Sequence, residues 1–392
     1  MSLNWRVNAA TLLFFAFIQL VVPLIPRYAL TIGASPLLIG LAVSSVSITA
    51  IMFRPFAGVI SDRWSRSYLM ILGIVCASFA YLILFISSDV AMITVARLIE
   101  GLASAFFIPS SIASAIDHAP EGKLGQTLGW RSLMVGVGLM IGPAMGGFLS
   151  EIFSYRLTFI ISAVLLLLLV PLVKYKEPRA RRTSGGTSLE SLRDRDFLTA
   201  LLGLIIYSLS WNGLLAFLSA FLKLGGYGDL EIGLFVSVEA LASLALRVIA
   251  GRRADSNPAK MTYSGLLVIS FAFLLVYATQ IPPYLYLAAA VMGVGIGIYI
   301  PSSQTLALTR CPAGSRGLVS ATYVMGVDVG NLIGPTTFGI VIESTDSYQS
   351  VFALAPLLTL IAGVAVFVLT RKRPARVECE PVPLRISESA SR

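Results

Sequence analysis

Arg54-Pro-Phe-Ala-Gly58-Val-Ile-Ser-Asp62 closes one long apolar run, and Arg247-Val-Ile-Ala-Gly251-Arg-Arg-Ala-Asp255 closes another 193 residues later. Arginine, glycine and aspartate keep the same spacing in both. The register extends outward: Ile39-Gly40-Leu41 returns as Ile232-Gly233-Leu234, Ile108-Pro109-Ser110-Ser111 as Ile300-Pro301-Ser302-Ser303, and Gly142-Pro143 as Gly334-Pro335. The chain is therefore two copies of one half.

What each half consists of follows from composition. Of 392 residues 56% are hydrophobic and only 12% charged, far from the roughly one quarter charged in soluble domains. About twenty helical residues cross the hydrocarbon core, and twelve apolar runs of that length can be placed, roughly at 9–27, 36–58, 68–87, 90–116, 128–149, 154–173, 198–222, 229–250, 261–279, 283–308, 317–341 and 350–370. Unbroken stretches such as 163–170 favour helices over barrel strands, whose apolar positions alternate. The expected fold class is all-α integral membrane, with twelve transmembrane helices in two pseudo-symmetric six-helix bundles. The expected domains are 1–173, an N-terminal bundle; 174–197, a linker with Pro178, Gly185 and Gly186; 198–370, a C-terminal bundle; and 371–392, a disordered tail poor in apolar surface.

The net charge of +9 is a matter of topology. Arg63, Arg66, Lys123, the cations of 174–195, Arg252, Arg253, Lys260, Arg310, Arg316 and those of 371–376 fall in alternate breaks, while the opposite breaks hold little beyond Arg27, Arg156 and Lys223. This positive-inside bias places both termini in the cytoplasm of a multi-pass cell-membrane protein, and it removes nucleic acid as a partner. The first run ends in Pro23 and Pro26 without a small-residue cleavage site, so a retained helix is expected. One histidine, His118, and three distant cysteines, Cys76, Cys311 and Cys379, predict no metal site, no disulfide and no cofactor. Asp117 and Glu121 beside His118 are expected to be solvated in a short turn.

Repeat-related membrane halves are the construction of many secondary transporters, which hold substrate between the repeats near mid-membrane. The chain resembles the major facilitator superfamily over its full length apart from the tail. Gly58-Val-Ile-Ser-Asp62-Arg63-Trp-Ser-Arg66 is similar to its signature between helices 2 and 3, departing from it at Ser65 and Ser67. Gly138-x3-Gly142-Pro143-x2-Gly146-Gly147 resembles the motif of its proton-driven drug exporters, and Pro23-Leu-Ile-Pro26 and Arg97-x3-Gly101 resemble further motifs of the twelve-helix drug/proton antiporters. The resemblance implies alternating access driven by a proton, with sodium as the alternative ion, a small-molecule substrate and a lipid bilayer around a monomer.

Physical chemistry assigns roles beside the resemblance. Asp62, with its repeat Asp255, can accept charge-assisted hydrogen bonds from Arg63, Arg66 or a helix N-terminus and so latch one gate state; ordinary cytoplasmic charge is the plainer reading. Gly138, Gly142, Gly146 and Gly147 admit close backbone approach, and Pro143 bends the helix, which suggests a tight contact between the fifth and eighth runs; simple helix packing is the alternative. Ionisable residues within the membrane are functional candidates. Across the repeat Arg97, Glu100, Glu239 and Asp328 face Ala289, Met292, Val46 and Gly136, so none has a twin. They are the proton-coupling candidates, since a carboxylate removed from water binds a proton more readily. Arg97 and Glu100 share a helix face and can equally be a structural pair. For Glu239 and Asp328 the alternative is a polar contact between helices. Runs 1, 4, 7 and 10 line the cleft in the resembling fold, which makes Gln19, Tyr28, Phe106, Tyr207, Trp211, Asn212, Tyr299 and Gln304 candidate cavity residues, with packing as the competing role for each.

No phosphate loop, His-Glu-x-x-His or nucleophile elbow is present, so no enzyme is expected. The favoured function is proton-coupled efflux of amphipathic small molecules or drugs. The alternative is uptake of a metabolite such as a sugar or organic acid on the same fold.

Overall fold

A computed structural model describes residues 3–63, 65–118, 124–175, 192–254, 256–281, 283–309 and 316–371. The side chains of Asp62 and Arg63 and the surroundings of Gly58 lie outside the described residues, as do Asp255, Glu121, the stretch 176–191 of the expected linker and the expected tail beyond Arg371.

Among the described residues the chain is helical and has no strand. The first run is α1 (Leu3–Val21), a single 3-10 turn at Val22–Leu24 and α2 (Ile25–Thr31). The interruption falls where Pro23 and Pro26 remove amide donors. Next come α3 (Pro36–Arg63), α4 (Arg66–Ile86), α5 (Val90–Asp117) and α6 (Leu124–Ile152), with the sixth run split into α7 (Tyr155–Leu167) and α8 (Val170–Val173). The second copy comprises α9 (Arg195–Leu224), α10 (Asp229–Ala254), α11 (Pro258–Ala278), α12 (Tyr284–Leu308), α13 (Arg316–Thr345) and α14 (Tyr348–Arg371).

Eleven of the twelve resulting spans are long and apolar enough to cross a membrane by composition. The exception, α10, has 26 residues but carries Asp229, Glu231, Glu239, Arg247, Arg252 and Arg253. It packs between α6 and α12, and of its charges Asp229 and Glu239 are buried. Phe79, Phe148, Phe271 and Ile361 are exposed, as side chains facing hydrocarbon are. The face holding the α3–α4 turn and the ends Val173 and Arg195 is termed the linker face, and its opposite the far face.

Local signals fix the helix ends. Asp89, Ser154, Asp194 and Asn257 each accept a backbone N–H of the helix they precede. At the far face the chain leaves α2 and α9 through Gly33 and Gly226, at φ 81° and 84°. These glycines are 193 residues apart, so the repeat reaches into a left-handed turn that side chains disfavour.

The halves meet along two seams that are one contact used twice. On one, Gly40 lies against the Pro335 carbonyl and Gly339 against that of Pro36. On the other, Gly233 lies against the Pro143 carbonyl and Gly147 against that of Asp229. Each pair on the first seam is the repeat partner of a pair on the second. Thr336 Oγ1 donates to Ser44 Oγ at 3.0 Å, and at the repeated position the Ala144 amide donates to Ser237 Oγ at 3.2 Å. These contacts run from the far face to about mid-helix, where Asn331 donates to Ser47 at 2.7 Å, Arg54 pairs with Asp328, and Gly136 faces Leu244.

The expected contact between the fifth and eighth runs forms, but through only part of the glycine motif. Gly138, Gly142 and Gly146 face α1 in their own half; a Cβ on Gly142 would lie 2.6 Å from the Ala16 carbonyl oxygen. Of the motif residues, Pro143 and Gly147 face α10. The cause is geometric: residues spaced by four share a face, and one further residue turns the position by about 100°. The motif thus serves two interfaces. Gly146→Val would push into the Leu20 backbone, which cannot swing aside. It is expected to lower the thermal midpoint and folded yield, overpacking costing about 1–3 kcal/mol. Gly136→Ala meets only the movable Leu244 side chain and is expected to fold normally in the same assay.

Candidate functional site

The membrane carboxylates fall into two kinds. In α5, Arg97 Nη1 holds Glu100 Oε2 at 2.7 Å, both side chains nearly inaccessible, while Arg97 Nη2 reaches the Val43 carbonyl at 3.3 Å. Gly101 lets α5 press against Val46 and Thr49 of α3, which buries the pair inside the first half. Asp328 of α13 is held by Arg54 of α3, across the halves. Arg54, the arginine of the first repeated motif, thereby bridges the seam. Each of these carboxylates has its own arginine.

Glu239 differs. It is 8% exposed, and no hydrogen bond or ion pair is made by its carboxylate among the described residues. Gly293 of α12 packs on its carbonyl. The cation near it is Arg247, two turns on in the same helix, which is engaged with Ser243 at 3.4 Å. Tyr207 of α9 lies near Glu239, and its ring meets that of Tyr299 of α12 with centroids 5.1 Å apart. Tyr323 of α13, which the sequence reading passed over, lies beside both tyrosines. Its one visible signal was an aromatic residue a little more than a turn before Asp328.

The remaining cavity candidates scatter. Gln19 is half-buried with its Cβ against Gly142, and Phe106, Trp211 and Asn212 are half-buried. The Asn212 amide is committed to its own helix, donating to the Ser208 carbonyl at 2.9 Å and Ser208 Oγ at 3.1 Å. Gln304 is exposed. Tyr28 does not line the seam: its hydroxyl donates to the Ser87 carbonyl at 2.6 Å, accepts from Arg156, and its ring packs on Tyr155 and Phe159. A tyrosine in the first run is consistent with either role until its partners, from the end of α4 and from α7, are known.

Charged groups also gather at each end. On the linker face Arg66 pairs with Asp117 and donates to the Ala113 carbonyl, so α4 is tied to the end of α5. Asp117, expected to be solvated, is a partner of the signature motif. At the far face Arg27, fully buried, donates to Asp229 Oδ1 at 2.8 Å and to the Asp229 carbonyl at 3.1 Å, across the halves. Lys223 holds Asp229 Oδ2 at 3.0 Å, and the Tyr155 hydroxyl donates to Oδ1 at 2.9 Å. The Pro23-Leu-Ile-Pro26 interruption positions Arg27, whose Nε takes the Pro23 carbonyl at 3.0 Å. Sequence reasoning treated Arg27 and Lys223 only as exceptions to the charge bias, because their partner Asp229 lies 202 residues from Arg27. Among the described residues no group of three His, Cys, Asp or Glu could hold a metal ion.

Two repeated helical halves joined along a polar, glycine-lined seam define the class of two-half membrane proteins whose sites lie between repeats. The chain belongs to the Major Facilitator Superfamily, whose family model matches residues 7–335 and 200–387. It is 26% identical over 383 residues to Multidrug resistance protein 1 of Bacillus subtilis (strain 168), covering 94% of this chain and 96% of that protein. It is 24% identical over 402 residues to Multidrug resistance protein MdtG of Serratia proteamaculans (strain 568), covering 96% of each. Its fold matches a solved bacterial homolog of the human lysosomal transporter Spinster, in an inward-facing and unoccupied conformation, with TM-score 0.80 and 16% identity over 94% of this chain and 96% of the other. The nucleoside transporter NupG matches with TM-score 0.79 and 14% identity over 94% of this chain and 100% of that one. The chain is thus a multi-pass membrane protein of a family of small-molecule transporters.

Proposed function

We propose that this protein is a secondary active transporter that exports amphipathic small molecules in exchange for protons, with Glu239 as the coupling carboxylate. The observation that carries the reading is that Glu100 and Asp328 are neutralised by Arg97 and Arg54 while the Glu239 carboxylate has no bonded partner among the described residues. In a low dielectric a paired charge is offset and an unpaired one is not. A proton or a substrate cation is what Glu239 lacks, and competition between the two is antiport. The names of the relatives, multidrug resistance proteins, support an amphipathic substrate.

The proposed organisation is a bundle at 1–173, a linker at 174–197, a second bundle at 198–370 and a tail at 371–392. It acts as a monomer in the cell membrane with both termini in the cytoplasm and carries no catalytic site. With the linker face cytoplasmic, the closed far-face seams correspond to an inward-facing state. The glycine contacts then act as the hinge about which the halves rock, and the motif residues Gly58, Asp62, Arg63 and Asp255 belong to the opposite gate.

Arg54–Asp328 lies where the seams end, toward the cytoplasm in this orientation. Asp328→Asn is therefore expected to weaken the half-to-half contact without abolishing proton coupling. Proton flux that stops in Asp328→Asn while the protein stays folded would transfer the coupling role to that site. The function is tested in proteoliposomes with an inside-acid gradient and a panel of lipophilic cations, neutral drugs, sugars and nucleosides. Proton release that follows the amphipathic compounds supports the proposal. Sugar or nucleoside flux without a proton response would select the metabolite-uptake reading instead.

A further inference from the structure

Glu239 lies deep and is 8% exposed, and the linker-face half of the second bundle offers a proton path to it beside the cleft between the halves. Counting along each helix from its linker-face end, Glu239 is fifteen residues in from Ala254, Tyr207 twelve from Arg195, Tyr299 nine from Leu308, Tyr323 seven from Arg316 and Ser303 five from Leu308. At 1.5 Å per residue these positions descend from roughly 22 Å to roughly 7 Å from the helix ends. Three helices, α9, α12 and α13, thus contribute hydroxyls at successive depths beneath Glu239 of α10. The neighbours connect in that order: Tyr207 lies near Glu239 and Tyr323, Tyr299 near Tyr207 and Tyr323, and both Tyr299 and Tyr323 near Ser303.

Two of these hydroxyls carry an independent signal. Among the described residues the buried Tyr299 and Tyr323 oxygens make no hydrogen bond of good geometry, although Ser303 lies within reach of both, and their residues are 0% and 4% exposed. Buried polar atoms are nearly always satisfied, and the exceptions call for a functional account or for ordered water. Phenylalanine would fill the same space in an apolar bundle without that cost. Gly203 and Gly265 hold α9 and α11 close around Tyr299. Among the described residues Ser303 makes a 3.5 Å contact to the Ala200 carbonyl, and its oxygen lies within reach of both tyrosines.

We propose that Tyr207, Tyr299, Tyr323 and Ser303 form a relay that carries the coupling proton between Glu239 and the linker face. The inference rests on Glu239 being the coupling carboxylate. Each hydroxyl oxygen accepts a proton on a lone pair as it passes its own proton inward, directly or through a bound water. The net change is one proton lost by water at the linker face and one gained by the Glu239 carboxylate, with every tyrosine neutral before and after. The charged group beside this path is Arg247 on the Glu239 helix. Its positive charge keeps a free hydronium ion out of the path and favours transfer through neutral hydroxyls.

The test is the Tyr299→Phe, Tyr323→Phe pair, singly and combined, with Ser303→Ala as a third site. Initial substrate-driven proton flux, substrate binding and the thermal midpoint are measured in the full chain in proteoliposomes. Expected is a several-fold fall in proton flux, largest in the double variant, with substrate affinity unchanged and a midpoint equal to or above the parent's. A solvent deuterium effect on flux, present in the parent, is expected to grow in the single variants. Flux at the parental rate in the double variant overturns the relay, as does a flux loss matched by an equal loss of binding or stability. If the parent itself releases no protons with any substrate, the antiport reading falls and the relay with it. Parental release that persists in the double variant removes the relay alone.

Discussion

Glu239→Gln is expected to leave a folded protein that binds its substrate but no longer exchanges it for protons. Glutamine keeps the volume and polarity of the side chain, and no hydrogen bond or ion pair is lost, because none among the described residues reaches the carboxylate. Removing an uncompensated buried charge is expected to hold or raise the thermal midpoint. The functional loss is of another kind. Coupling between proton and substrate amounts to roughly 1–3 kcal/mol, so parental substrate affinity should change about fivefold to hundredfold between acid and alkaline medium. In Glu239→Gln that pH dependence should vanish, and substrate-driven proton release with it. Glu100→Gln offers the contrast: it strands Arg97, whose Nε already lacks a partner, and is expected to lower stability. Binding measured by tryptophan quenching across pH, beside proton flux, checks both variants. A Glu239→Gln protein whose affinity still follows pH would remove Glu239 from the mechanism.

Asp229→Asn is expected to open the far face. Asp229 is the one acid on which Arg27, Lys223 and Tyr155 all converge, and its substitution leaves the fully buried Arg27 without a counter-charge. Stranding one partner of a buried pair costs about 3–5 kcal/mol. That cost falls only on the conformation in which the halves touch there, because separated halves return both groups to water. At tenfold per 1.4 kcal/mol the ratio of far-face-closed to far-face-open molecules should shift on the order of a hundredfold or more. Arg27→Met is expected to act more weakly, since Asp229 then keeps Lys223 at 3.0 Å and Tyr155 at 2.9 Å. The double substitution is expected to fall short of the sum of the two, as partners in one network do. Alkylation of a cysteine placed at Ser44, buried on the α3–α13 seam, reads the opening in a background lacking Cys76, Cys311 and Cys379. Equal alkylation rates in the parent and Asp229→Asn would show that the far-face pair does not hold the seam.

The helices were legible in the sequence to within a few residues, as in the expected 198–222 against the observed Arg195–Leu224. Length and apolarity decide a membrane helix locally, and the repeat checked each one against its twin. Glu239 was visible as a twinless acid in an apolar run, and Arg97 with Glu100 as neighbours three apart. Which acid lacks a partner was not visible. Arg54 and Asp328 are 274 residues apart and Arg27 and Asp229 are 202 apart, so nothing in the chain order joins them. The face of the α6 glycines shows the same limit, because a stripe of small residues announces a close neighbour without saying which helix it is.

Hydrophobic length, charge sidedness and a 193-residue repeat are properties of the chain in order, and they alone make this a two-half helical membrane protein of the Major Facilitator Superfamily. The tertiary structure decided which charges are neutralised, which seam is closed and which hydroxyls gather beneath Glu239. Those depend on distances between side chains brought together from opposite ends of the chain, and it is that proximity, in a medium too apolar to screen charge, that separates a structural ion pair from a coupling site.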